Sequence, residues 1–156
     1  IPATPFGIMK LIEKYDIQTE GKNCLVVGRS NIVGRPMSIL MSLRGKYGNA
    51  TVTLAHSKSK NLRELTLNAD IIIMALGIPE FLKPNMIKKD TAIIDVGITR
   101  VKDKSKKRGY VIKGDVDFRG VSEKAKFLTP VPGGVGPMTI AMLLQNTLDA
   151  RLLNSS

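Results

Sequence analysis

Cys24-Leu25-Val26-Val27-Gly28-Arg29-Ser30-Asn31-Ile32-Val33-Gly34-Arg35-Pro36 is the stretch on which the fold turns. Its first four residues are apolar without alternation, which suits a parallel strand buried on both faces. The run stops at Gly28, and a helix is expected to start near Gly34-Arg35-Pro36, carrying Met37, Leu40, Met41 and Arg44. A strand that meets a helix through a glycine-bearing loop places exposed backbone N–H groups at a helix start, where phosphate normally binds. The loop is not the usual G-x-G-x-x-G, because Ser30 stands at the second glycine. Arg29 and Ser30 favour an anion over a plain turn.

The same pattern recurs along the chain. Thr51–Ala55, Ile71–Ala75 and Ala92–Val96 read as further strands, Tyr110–Ile112 and Phe127–Thr129 as short ones, and Leu62–Leu67 as a short helix. Thr4-Pro5 reads as an N-cap and first helical residue, followed by Ile8, Leu11, Ile12 and Tyr15 at helical spacing. Pro137 to Leu148 reads as the closing helix, opened by Pro137. Strands alternating with helices predict an α/β chain, a Rossmann-type doubly wound parallel sheet with flanking helices. Ligands of such sheets bind beyond the carboxyl ends of the strands, and three strand ends here carry a glycine: Gly28, Gly77 and Gly97.

The second strand indicates which cofactor. NAD-binding domains usually close that strand with an acid for the ribose hydroxyls. Here Ala55 is followed by His56-Ser57-Lys58-Ser59, with no acid. A hydroxyl and cations would welcome a 2′-phosphate, so NADP is expected: Arg29 as a planar donor fork, Ser57 as a further hydrogen bond. Lys58 reads equally well as a solvated lysine, and His56 as a structural residue beside the adenine. The segment Thr129 to Thr139 holds Pro130, Pro132, Gly133, Gly134, Gly136 and Pro137, a stiff entry into a helix that suits a ligand's polar edge. Asp115-Val116-Asp117 reads as a turn in preference to an acid–base pair.

Bulk properties bound these readings. The 156 residues fit one domain, 43% of them hydrophobic, and no apolar run can cross a bilayer. The single cysteine, Cys24, sits inside an apolar strand and reads as packing, which fits a reducing, cytoplasmic setting. No metal-ligand cluster is evident. The formal charge of +11 attracts anions. Much of it lies between Lys102 and Arg108, read as a solvated loop; without interleaved aromatics, nucleic acid is not expected as a partner.

Taken together, these motifs resemble the bifunctional methylenetetrahydrofolate dehydrogenase / methenyltetrahydrofolate cyclohydrolase family. The resemblance is carried by Pro2–Gly7, Val27–Pro36, Ala50–Thr53 with His56–Ser59, Ala69–Ile71, Ile94–Ile98, Gly114–Phe118 and Pro130–Thr139. It implies that residues 1–156 are the NADP-binding domain with the returning C-terminal helix, and that an N-terminal folate domain bearing the catalytic residues is absent from this chain. No catalytic residue is therefore assigned. It implies Gly28, Arg29, Ser30 and Ser57 toward the adenosine end of NADP, with Arg29, Ser30 and Ser57 on the 2′-phosphate. Gly77, Ile98, Gly136 and Thr139 would line the nicotinamide end, and Pro132, Gly133 and Gly134 the folate side. Arg35 stands where lysine is common in the family and Thr99 where asparagine is usual. The implied activity is oxidation of 5,10-methylenetetrahydrofolate with NADP⁺ and hydrolysis of the methenyl product to 10-formyltetrahydrofolate, in one-carbon metabolism and purine biosynthesis, by a homodimer. A bare dinucleotide-binding module and another NADP-dependent dehydrogenase are the alternatives.

Overall fold

A computed structural model describes residues 1–154. Helix α1 (Ala3–Lys14) leads into β1 (Asn23–Val27), α2 (Gly34–Ser42), β2 (Thr51–Ala55), α3 (Leu62–Asn68), β3 (Ile71–Met74) and β4 (Ala92–Asp95). Two further strands, β5 (Thr99–Lys102) and β6 (Tyr110–Lys113), precede α4 (Phe118–Ser122), β7 (Phe127–Leu128) and α5 (Val135–Leu153). The main sheet has the order β2-β1-β3-β4-β7, and its paired strands are parallel. The chain runs outward from β1 to β2, then returns to the other side of β1 for β3. The topological switch point therefore lies between β1 and β3.

The three central strands are buried along nearly their whole length, as their unalternated apolar runs require. One face packs Val26, Ile71, Ile73 and Ile94 against Ile8 and Ile12 of α1 and Met37 and Met41 of α2. The other packs Leu25, Ile72, Met74 and Ile93 against Leu62 and Leu65 of α3 and Val121 of α4. Helices thus cover both faces, a Rossmann-like arrangement. Cys24 is buried within it, and burial pushes its thiol up to about 12, so it is packing and not a nucleophile.

Several local readings are corrected. Helix α1 begins at Ala3 after Pro2, and Thr4 does not cap it. The Thr4 hydroxyl instead meets that of Thr139 at 3.0 Å, joining α1 to α5. Helix α5 begins at Val135, so Pro137 lies inside its first turn, where a missing N–H costs nothing. Helix α2 ends at Ser42, before Arg44. The stretch Thr99–Lys102 is a strand, pairing antiparallel with Tyr110–Lys113 outside the main sheet. The terminal Asn154-Ser155-Ser156 reads in sequence as a tail that frays, and of it Ser155 and Ser156 lie outside the described residues. No helix among the described residues is long and apolar enough to cross a membrane.

Candidate functional site

The carboxyl ends of the strands carry the chemistry. Strand β1 is held on both sides past its last residue: Gly28 N–H donates to Ala55 at 2.8 Å, and Ala75 N–H donates to Val27 at 2.7 Å. Gly28 adopts φ +120°, and a Cβ there would lie 2.1 Å from the Ala75 carbonyl oxygen. The loop beyond it is wound by Ser30, whose hydroxyl oxygen accepts from Val33 N–H at 3.1 Å and Gly34 N–H at 3.4 Å. The Ser30 O–H remains available to donate to a ligand. The Arg29 side chain is exposed and has no hydrogen bond or ion pair among the described residues.

Register places the second loop beside the first. Val27 pairs with Ala55, so Arg29 and Ser57 each stand two residues beyond the same rung on neighbouring strands. Ser57 and Lys58 are exposed. His56 accepts the Lys58 N–H on Nδ1 at 3.2 Å, and Ser59 accepts the His56 N–H at 3.0 Å, so both shape this turn.

Six expected residues line one pocket of about 550 Å³: Ile98, Pro132, Gly133, Gly134, Gly136 and Thr139. Val33, Asp95, Val96 and Ile112 complete much of its wall. Val33 comes from the first loop, so this pocket opens beside the β1 end. Gly28, Arg29, Ser30, Ser57 and Gly77 are not in its lining; they lie along the same edge of the sheet, nearer β2 and β3. Ile112 carries no site signal in the sequence, because its strand is short and the partner strand Thr99–Lys102 is not evident there.

Two buried acids brace the strand ends, and one of them, Asp95, lines the pocket. The Asp95 carboxylate accepts from Gly97 at 2.9 Å and from Asp115 and Val116 at 3.0 Å, while the Asp95 N–H donates to the Thr129 hydroxyl at 2.8 Å. One Asp115 oxygen accepts from Leu76 at 2.7 Å and Gly77 at 2.9 Å. Four strand ends are thereby tied together. Asp117 caps α4 through Gly120 N–H, and Val116 forms a parallel β-bridge with Leu82, so the Asp115–Asp117 segment, read as a turn, is instead extended and pinned to the Leu82 stretch.

Burial pushes the Asp95 carboxyl up to about 6; its three N–H donors pull the other way, and the nearby Asp115 carboxylate adds to the rise. The native state therefore keeps a proton that the unfolded chain releases near pH ~4. Stability from this residue is fully present below about pH 4 and is lost as pH rises through about 6. At about 1.4 kcal/mol per pH unit between the two states, the loss approaches ~3 kcal/mol. Asp70, held low chiefly by the Lys88 ammonium, acts in the opposite direction at lower pH. Denaturant unfolding at about pH 4.5 and pH 7 should show the fall, and Asp95→Asn should flatten it; an unchanged slope in that variant would assign the effect to another group.

Comparison with known proteins adds to this geometry. Residues 2–154 match the family described as tetrahydrofolate dehydrogenase/cyclohydrolase, NAD(P)-binding domain. The bifunctional protein FolD of Flavobacterium johnsoniae is 68% identical over 156 residues, which cover 100% of this chain and 53% of that protein. The FolD methylenetetrahydrofolate dehydrogenase/cyclohydrolase structure from Campylobacter jejuni superposes with TM-score 0.86 at 48% identity, over 96% of this chain and 49% of that one. The Trypanosoma brucei enzyme, solved with NADP and an inhibitor, superposes with TM-score 0.88 at 39% identity, over 95% and 49%. The chain thus spans about half the length of the curated relatives it matches.

Proposed function

Because the chain belongs to the tetrahydrofolate dehydrogenase/cyclohydrolase family as its NAD(P)-binding domain, we propose that it selects NADP and forms one wall of a folate site. The observation that carries this is the exposed, unpartnered Arg29 at the β1 end, level with Ser57 across the β1–β2 register. An ionised 2′-phosphate accepts a bidentate guanidinium and a hydroxyl, whereas a bare ribose leaves both without a charged partner. The fit extends along the sheet edge. The Gly28 backbone leaves no room for a side chain at the switch point, and the Ser30 O–H, whose oxygen accepts from Val33 and Gly34, is left to donate to an anion.

The remaining assignments follow the pocket. Ile98, Gly136 and Thr139 would flank the nicotinamide, with Gly77 on the β3 side, and Pro132, Gly133 and Gly134 would face the folate. Bound NADP⁺ supplies the hydride acceptor for the methylene carbon of 5,10-methylenetetrahydrofolate. The chain's part is positioning: an apolar pocket excludes water and holds the two reacting faces together. Hydrolysis of the methenyl product to 10-formyltetrahydrofolate, which would feed purine synthesis, belongs to the same cleft, with catalytic groups supplied by an N-terminal half of the kind the relatives possess. The outer face of α5 supports that partner half. Ile140, Leu143, Leu144 and Leu148 are all exposed on this helix, an apolar surface that suits burial against further protein. A cytoplasmic homodimer completes the reading.

Arg29→Ala tests it. Loss of a charge-assisted pair of about 1.5–3 kcal/mol should weaken NADP about tenfold to hundredfold while leaving NAD unchanged. Calorimetric titration of both cofactors into both chains measures this. Equal weakening of NAD and NADP would take Arg29 off the 2′-phosphate.

A further inference from the structure

Another cavity, of about 660 Å³, lies at the opposite end of the sheet, between the residues that follow α1 and those that lead into β1, β3, β4 and β7. Its volume suits one small-molecule ligand. Part of its wall is a ring pair. The Tyr15 and Phe127 centroids lie 5.0 Å apart, with their planes tilted by 52°. Phe127 is half-buried, whereas Tyr15 is 60% exposed, so much of its ring stays open.

Charge is divided unevenly around these rings. Asp70 is committed: its carboxylate accepts from the Asn23 N–H at 2.8 Å and from the Lys88 ammonium at 2.6 Å. Asp16 is engaged outside the cavity, by the Tyr47 hydroxyl at 3.4 Å and the Lys46 ammonium at 4.0 Å. Lys22, Lys89 and Lys126 line the cavity, are exposed and form no ion pair among the described residues. Lys22 adds only a weak field at Asp70, whose carboxyl is held low chiefly by Lys88. Against these three cations stands Asp90, a lining acid that likewise forms no ion pair among the described residues. Backbone pairing sets two of the cations side by side. The Lys126 N–H donates to Thr91 at 3.0 Å and the Asp90 N–H to Lys124 at 2.9 Å, so the segments bearing Lys89 and Lys126 run together.

We propose that this cavity binds a mononucleotide polyphosphate, its base stacked on Tyr15 and its phosphates held by Lys22, Lys89 and Lys126. An open ring beside surplus cations matches a ligand with a flat aromatic end and a polyanionic end. An inorganic anion has no use for the rings. A single-stranded polymer needs stacking faces repeated along its path, and this cavity offers one ring pair. The site is separate from the cofactor loops. Lys22, Asp70, Ala92 and Phe127 stand where strands of the sheet begin, while Gly28, Gly77 and Gly97 stand past the ends of β1, β3 and β4. The lysines are exposed on flexible stems, so each phosphate contact is worth about a factor of two and is screened by salt.

Titration of ATP into this chain with NADP saturating, followed by amide chemical shifts, tests it. Adenosine, tripolyphosphate and a short single-stranded RNA serve as comparison ligands. ATP should shift the Lys22, Ala92 and Phe127 amides and bind about tenfold more tightly than adenosine or tripolyphosphate. Tyr15→Leu keeps an apolar side chain against Phe127 and removes the ring. It should weaken ATP about tenfold and leave tripolyphosphate unchanged. The triple variant Lys22→Gln/Lys89→Gln/Lys126→Gln should weaken ATP about tenfold at low salt and have no effect at high salt. Neither variant should alter NADP affinity, which also shows that each is folded. No saturable ATP binding up to about 5 mM would overturn the proposal. So would ATP displaced by NADP, which would put it in the dinucleotide site. Tripolyphosphate as tight as ATP, or ATP affinity intact in Tyr15→Leu, would remove the base platform and the proposal with it. RNA binding more tightly than ATP at matched charge would assign the surface to a polymer instead.

Discussion

Gly28→Ala is expected to abolish measurable NADP binding and to cost about 4 kcal/mol of folding stability. The new Cβ would sit 2.1 Å from the Ala75 carbonyl oxygen and 2.7 Å from its carbon, both backbone atoms. Neither side can give way easily. Gly28 is tied to Ala55 and Ala75 to Val27, so any shift of the loop breaks rungs on both flanks of β1. A φ of +120° adds strain for any residue with a side chain. Overpacking of about 1–3 kcal/mol and backbone strain of similar size together take a large share of the roughly 5–15 kcal/mol that holds a domain folded. Cofactor binding suffers separately. Displacing the loop by an ångström costs at least two phosphate contacts from its N–H groups, about 3 kcal/mol or more than a hundredfold in affinity. Gly21→Ala is the control: φ is +69° there too, but nothing lies within 4 Å of the added Cβ. It should cost about 1–2 kcal/mol and leave NADP affinity as it was. Urea unfolding with cofactor titration separates the two, and a Gly28→Ala chain that binds NADP normally would move the site away from the switch point.

What could be read from the chain in advance was what its local pattern encodes. Strands β1, β3 and β4 are buried on both faces, so they appear as unbroken apolar runs, and their order relative to helices implied a parallel sheet. The glycine at the β1 end and the missing acid after β2 were likewise visible, because each acts through its own position. Pairings between distant segments were not visible. Thr4 has the sequence context of a cap, yet its hydroxyl is taken by Thr139, 135 residues away. Strand β5 contains Arg100 and Lys102, whose charges mask a strand that exists through pairing with β6. Nor does any local signal show that β2 is an outer strand, with Thr51 and Thr53 exposed. In the pocket, Pro132, Gly133, Gly134, Gly136 and Thr139 lie close in sequence and were found together, while Ile112 arrives from a separate hairpin.

Asp115→Ala is the second large effect expected, and it concerns a residue whose sequence context suggests a turn and nothing more. Its carboxylate reaches 38 and 39 residues back along the chain to hold the Gly77 and Leu76 N–H groups at the β3 end. It stands directly against Gly97 at the β4 end, and its own N–H is bound by Asp95. Removing the side chain strands two part-buried donors, at about 1–2 kcal/mol each, and opens a hole where the buried carboxyl stood. A total near ~4 kcal/mol follows, less in Asp115→Asn, whose amide oxygen can still accept both N–H groups. The second oxygen of Asp115 is buried without a hydrogen-bond donor among the described residues, and burying an NH₂ in its place keeps the rescue partial. The readout that separates a positioning role from bulk stability is local. At a temperature where Asp115→Ala remains folded, the Leu76 and Gly77 amides should exchange far faster than those of β1, and NADP affinity should fall about tenfold, with Asp115→Asn in between. Slow exchange at Gly77 and unaltered NADP affinity in a folded Asp115→Ala chain would leave this carboxylate a stability residue with no hold on the cofactor loops.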